Sequence, residues 1–263
     1  MKSFIKILFF IFISCSAFSN DLNSTDSKNE VTVIFFERPP YYINNSGNTE
    51  GFLIDITKLI LSEANLKYNF KEMPSKRILE HVKNSKNKIA IGWLKTYERE
   101  TEFQFSEPIY QDSPYIAVIN INKSSYFKKE MNLNEILVLN LKLGEADGFS
   151  YGEQLDSSLN KFPSKIEKFI PGAPEKPLKM LISNRFDYIF MAQEELSWFI
   201  KNKPSYTKYI AQVKIKDAPP GNMRYLLFSK TFDKNLLSKI NEAILKVKST
   251  TKYKDILRKY GLI

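Results

Sequence analysis

Short apolar runs and stretches of helical period take turns along the chain, and this alternation restricts the fold more than any other feature of the sequence. Val31 to Phe36 is a β-branched and aromatic run stopped by Arg38-Pro39-Pro40, which reads as a buried strand entering a loop. Gly51 opens a stretch in which Phe52, Ile56, Leu59, Ile60 and Ala64 recur at helical spacing, closing near Asn65. Leu66 to Glu72 alternates as a strand does, Pro74 to Val82 reads as a short helix, and Ile89 to Trp93 as a buried strand. Strand, helix, strand, helix, strand specifies an α/β unit with a largely parallel sheet.

The pattern breaks at Pro108 and Pro114, and Tyr115 to Ile121 reads as a strand leaving this first unit. A second set follows: a short helix at Leu133 to Ile136, a strand over Leu137 to Leu143 ending at Gly144, and a helix after Gly148 to Gly152. Then come a strand around Ile166 to Ile170, a helix from Lys176 to Asn184, a strand at Tyr188 to Met191 and a helix at Glu194 to Lys201. The turn Pro219-Pro220-Gly221 precedes a strand at Arg224 to Ser229, and amphipathic helices at Leu236 to Val247 and Tyr253 to Tyr260 close the chain. The expected organisation is one lobe of residues 31–114 and 222–263 and another of 115–221. Crossings near 115–121 and 214–224 would join them, with the last helices back on the first lobe.

Ahead of this lies a signal-like start. Lys2 and Lys6 precede the apolar run Ile7 to Ile13, and small residues at Ala17 and Ser19 point to cleavage before Asn20. The run is too short to span a bilayer. Residues 1–19 are therefore expected to be a signal peptide, residues 20–30 a flexible polar leader, and the mature protein periplasmic. Cys15 is the only cysteine; lipid attachment there is the less favoured reading, because Phe12 occupies the position where lipoprotein signals carry leucine. Loss of the signal removes Lys2 and Lys6 and takes the net charge from +10 to +8. The lysines are scattered rather than gathered on one stripe with aromatics, which argues for a solvated surface and against a nucleic-acid partner.

Chemistry concentrates between Gly92 and Tyr110. Thr96-Tyr97-Glu98-Arg99 is followed six residues later by Phe105-Ser106-Glu107-Pro108-Ile109-Tyr110. Taken alone, Arg99 also fits a surface arginine pairing with Glu98 or Glu102. With this spacing the segment resembles the bacterial extracellular solute-binding proteins of family 3, the polar amino-acid binders of ABC transporters. Gly51-Phe52-Leu53-Ile54-Asp55-Ile56 resembles a second signature of that family, with Leu53 in place of its first acid, and weaker likeness runs over the chain from Val31. The resemblance implies a two-lobed α/β fold of periplasmic-binding-protein type II, each lobe a mixed sheet flanked by helices, joined by two crossing segments.

The resemblance also implies a site. Arg99 would grip a ligand carboxylate, which suits a planar, permanently charged guanidinium with two parallel donors. Thr96 accompanies it. Tyr41 and Tyr42 fall in the loop that presents an aromatic ring to the ligand, at least one of them facing the cleft. Ser150, at the start of a second-lobe helix, reads either as a ligand contact or as an ordinary helix cap. Arg77 lies on a short helix at the same rim. Gly92 and Leu94 stand where many family members carry small hydroxyl residues for the ligand amine, so Gly92 with Trp93 implies a flatter, aromatic wall. The aspartate that pairs with the amine is replaced by Ala192, five residues after Asp187. Gln193, Glu194 or Glu195 would have to shift to serve instead, of which Glu194 is taken as the candidate.

His81 is the only histidine, and no clustered acids accompany it, so no metal is expected. A glycine-rich phosphate loop, a nucleophile elbow and a Ser-His-Asp set are all missing from the sequence. The reading is a monomeric binding protein without cofactor, taking a small carboxylate-bearing, amino-acid-like ligand to an ABC permease or to a membrane sensor. A dehydratase-type enzyme, with Glu194 or Glu195 as base, is the competing class.

Overall fold

The structure is a computed structural model that describes residues 30–45 and 47–263. The expected signal peptide, Cys15 and residues 20–29 of the expected leader lie outside the described residues. Glu30, assigned to that leader from sequence, is the first residue of a strand.

The first sheet contains β1 (Glu30–Phe35), β4 (Lys67–Glu72), β5 (Lys88–Trp93), β6 (Phe103–Gln111) and β13 (Met223–Ser229), in the order β4-β1-β5-β13-β6. A small hairpin of β2 (Ile43–Asn45) and β3 (Asn48–Glu50) stands apart from it. Strands β4, β1 and β5 are parallel, while β13 runs antiparallel to both of its neighbours. The sheet is covered on both faces, which is why β1 reads as one apolar run rather than as an alternation. Val31, Val33 and Phe35 join a core with α1 (Phe52–Glu63), α8 (Lys234–Lys248) and α9 (Thr251–Lys259). Ile34, one step out of phase, points to the other face and packs with Ile78 and Val82 of α2 (Ser75–Lys83). The C-terminal helices are tied to this lobe, with Tyr253 Oη donating to the Ile109 carbonyl at 3.0 Å and Tyr260 Oη to Asp55 at 3.0 Å.

The second sheet contains β7 (Tyr115–Asn120), β8 (Glu130–Met131), β9 (Leu143–Ala146), β10 (Ile166–Phe169), β11 (Tyr188–Ala192) and β12 (Ile210–Ile215), in the order β10-β9-β11-β7-β12-β8. It too has two cores. Ala117, Ile119, Tyr188, Phe190 and Val213 pack with α4 (Leu133–Leu137) and α5 (Glu153–Leu159). Ile116, Val118, Ile189 and Met191 pack on the opposite side with α6 (Lys176–Ile182) and α7 (Gln193–Asn202).

Three details differ from the expectation. The break in the pattern at Pro108 is not the end of an element; Pro108 lies within β6, which is tolerated because β6 is an edge strand and the register against β13 shifts at Tyr225, opposite Pro108. Of the expected crossings, 115–120 is instead the central strand β7, and in 214–224 Lys214 and Ile215 end β12 while Met223 and Arg224 begin β13, so the lobes are joined by the shorter segments 112–114 and 216–222. The run Leu137 to Leu143 is not a strand: α4 takes its start, and β9 begins at Leu143 where the expected strand was to end.

The two connections press on each other. Asp112 N–H donates to the Asn222 carbonyl at 3.0 Å, and a Cβ on Gly221 would lie 1.6 Å from the Asp112 carbonyl oxygen. Nothing flexible can yield there. Gly221→Ala is therefore expected to cost about 3 kcal/mol or more of unfolding free energy, read from urea denaturation; a loss under about 1 kcal/mol would mean the two segments are not in this contact.

Candidate functional site: a cationic, aromatic cleft between the lobes

In a parallel sheet the strand carboxyl ends and the loops leaving them share one edge, and open α/β sheets bind ligands there. Here both lobes turn those ends toward each other. Phe36 and Arg38 follow β1, Ser75 and Lys76 follow β4, and Trp93 ends β5, running into α3 (Tyr97–Glu102). From the second lobe come Asp147 to Ser150 after β9 and Glu195 in the first turn of α7.

Two cavities occupy the space between these edges, sharing Phe36, Arg38, Ser75, Lys76 and Phe149. One, of about 370 Å³, is lined by Trp93, Leu79, Arg99 and Arg224 among others. The other, of about 630 Å³, runs under the loop Ile170-Pro171-Gly172-Ala173-Pro174. The partition between them includes the rings of Phe36 and Phe149, which meet edge to face across the lobes at 5.7 Å.

Charge on the walls is mostly spoken for. Arg38 gives a two-pronged pair to Glu195, Nε and Nη2 each at 2.8 Å, with its guanidinium over the Tyr41 ring at 4.7 Å. Burial works against the Arg38 charge, but the facing Glu195 carboxylate more than offsets it, and the pKa of Arg38 is raised. Lys76 reaches Asp147 at 2.5 Å. Arg224 is bound to Asp112. Arg99 differs: its Nη1 donates to the Leu94 carbonyl at 2.9 Å and its guanidinium lies 4.8 Å from the Trp93 ring centre, but it has no carboxylate partner among the described residues. Desolvation, followed by the neighbouring Arg224 charge, lowers its pKa. An arginine that is partly desolvated and beside a like charge, with Asp156 and Glu98 acting on it only from beyond ion-pair distance, is a place where an anion is stabilised.

The two ion pairs that span the lobes should not weigh equally. The Arg38 and Glu195 side chains are 13% and 14% exposed, those of Lys76 and Asp147 54% and 43%. Glu195→Ala strands a largely buried guanidinium and is expected to cost about 2 kcal/mol, with the ligand-free protein expanding in solution scattering. Asp147→Ala should change stability by less than about 1 kcal/mol. Equal effects of the two would show that the closure does not depend on Arg38.

A family model for bacterial extracellular solute-binding proteins, family 3, matches residues 32–263. The chain belongs to that family. A probable histidine-binding protein of Neisseria gonorrhoeae is 24% identical over 223 residues, 83% of this chain and 77% of that relative. The membrane-bound lytic murein transglycosylase F of Nitrosospira multiformis is 25% identical over 198 residues, 72% of this chain but only 40% of the transglycosylase's length. Among solved structures, an ancestral arginine-binding protein bound to arginine superposes with a TM-score of 0.72 at 22% identity, covering 89% of this chain and 98% of that one.

Within this family-3 frame the residues singled out from sequence fall into three groups. Arg99, Trp93, Gly92, Tyr42 and Ser150 line the smaller cavity, and Thr96 caps α3 beside it, its Oγ1 accepting from Arg99 N–H at 3.4 Å. Gly92 has a structural role as well: at φ +73 it leaves room for Tyr42, whose hydroxyl would sit 1.7 Å from a Cβ there. Ser150 donates to Asp156 at 2.5 Å and accepts from Gly152 N–H at 3.0 Å, so the chain's own acid occupies the position envisaged for a ligand anion.

Three expectations are corrected. Tyr41 is wholly buried, its ring between Arg38 and Phe52 and its hydroxyl donating to Asp112 at 3.1 Å, because the loop folds it inward under the floor. Arg77 is exposed on the outer side of α2, one position past the face that carries Lys76 and Leu79 to the cavity. Glu194 is 5% exposed and faces the hinge, where its Oε1 accepts from Tyr110 Oη at 2.9 Å and Ser113 N–H at 2.7 Å; its neighbour Glu195 is the acid at the cleft. Lys76, Arg38, Phe36 and Phe149 were not singled out. The usable signal was position: each sits within a few residues of a parallel strand's carboxyl end.

Proposed function

We propose that the protein is a periplasmic solute-binding protein whose lobes close on a small carboxylate-bearing ligand held by Arg99, and that it delivers this ligand to an ABC permease. One observation carries the reading: Arg99 lines a cavity between the lobes with free donors and no carboxylate within ion-pair distance among the described residues. A ligand touching both lobes favours the closed arrangement by its differential affinity for it. The amino-acid ligands of family relatives fit the carboxylate part of this reading.

The enzyme alternative finds little support. Glu194 is engaged with Tyr110 and Ser113, and Glu195 with Arg38, so neither acid stands ready as a base near a carboxylate at Arg99. Among the described residues no group of three metal-ligating side chains occurs, and no helix is long and apolar enough to cross a membrane.

The test is a thermal-shift and calorimetric screen of small carboxylic acids, each beside its uncharged primary amide. Acids should raise the melting temperature saturably and compact the protein in solution scattering. Amides that bind as tightly as their acids would remove the carboxylate grip and the reading with it.

A further inference from the structure

An amino-acid binder must supply hydrogen-bond acceptors to an ammonium group as well as donors to a carboxylate. The smaller cavity offers the free donors of Arg99, while the carbonyls nearest to them are already engaged. The Gly92 carbonyl accepts from Arg224 at 3.3 Å, the Leu94 carbonyl from Arg99, and the Ile91 carbonyl beneath them from Tyr42 Oη at 3.1 Å. Asp147, the acid on this cavity's wall, faces Lys76, and Ser150 Oγ already donates to Asp156. Ala192, at the position where the family resemblance implies an amine-pairing aspartate, is wholly buried and outside the lining. The donor side is the reverse. Nε and Nη2 of Arg99 have no partner among the described residues.

We infer that the ligand is an apolar carboxylate without an α-amino group, its acid at Arg99 and its body against Trp93, Leu79, Phe36 and Phe149. This deepens the reading given under Proposed function and rests on its carboxylate grip. An ammonium brought into this cavity comes beside the unpaired Arg99 guanidinium and finds the Gly92 and Leu94 carbonyls and the Asp147 carboxylate already engaged. Apolar rings and a carboxylate meet neither cost.

The experiment is calorimetric titration of the purified protein with 3-phenylpropionate, L-phenylalanine and 3-phenylpropionamide, repeated with 4-methylpentanoate, L-leucine and 4-methylpentanamide. The first two members of each set differ only in the ammonium. The deaminated acid is expected to bind at least about tenfold more tightly than its amino acid. Amino acids that bind as tightly or more tightly overturn the inference and leave the carboxylate grip standing. Amides that match the acids overturn the grip itself. Absence of binding throughout at millimolar concentration overturns the proposed ligand class.

Discussion

Asp112→Ala is expected to lower the unfolding free energy by about 3–5 kcal/mol, a large part of what holds an ordinary domain folded. Asp112 and Arg224 are 0% and 5% exposed in their side chains, and Oδ2 accepts from Arg224 Nε at 2.7 Å while Oδ1 accepts from Tyr41 Oη. Burial alone would push the Arg224 guanidinium toward neutrality; Asp112 beside it more than offsets this and keeps it charged. Without Asp112 a guanidinium remains out of water, near the like charge of Arg38, with nothing to neutralise it. The pair itself need not be strongly stabilising, since a desolvated ion pair can be no better than well-packed apolar groups. The double substitution Asp112→Leu with Arg224→Met should therefore recover much of the loss. Urea denaturation of the two single variants and the double variant checks this, with similar m-values expected. A loss under about 1 kcal/mol for Asp112→Ala would place water at this pair.

Much of the architecture follows from sequence because parallel strands covered on both faces leave a strong trace. Val31 to Phe36, broken only by Thr32, and Ile89 to Trp93 carry no charged residue, since alternate residues serve two cores. β6 left no such trace: Pro108 interrupts it, and only its place at the sheet edge makes the proline harmless. β12 did leave an alternation, in Ala211, Val213 and Ile215 against Gln212 and Lys214.

The site was less legible, for a physical reason. Arg99 is marked by local spacing, and its environment is made largely by the segment around it. The closure contacts are not local: Lys76 and Asp147 are 71 residues apart, Arg38 and Glu195 are 157 apart. Nothing in either segment names its partner, and only the approach of two strand edges does. Tyr41 and Tyr42 show the same limit, since adjacent loop tyrosines look alike until packing sends one beneath Arg38 and lets the other reach the cavity wall.

Arg99→Ala should separate stability from binding. Its side chain holds one backbone carbonyl and the Trp93 face, against the costs of desolvation and of the Arg224 charge, so the ligand-free protein should change by no more than about 1 kcal/mol. Affinity for a carboxylate ligand should fall by about 2–5 kcal/mol, the range for removing one partner of a buried, hydrogen-bonded charge pair. At 1.4 kcal/mol per factor of ten, this means a dissociation constant weaker by roughly 30-fold to several thousand-fold. Arg99→Lys keeps the charge and loses the two-pronged fork, so it should fall between the wild type and Arg99→Ala. Thermal melts with and without ligand read both quantities at once. An alanine variant that melts like the wild type and keeps its full ligand shift would show that the carboxylate is bound elsewhere. One that is strongly destabilised without ligand would show instead that Arg99 is a structural residue of this lobe.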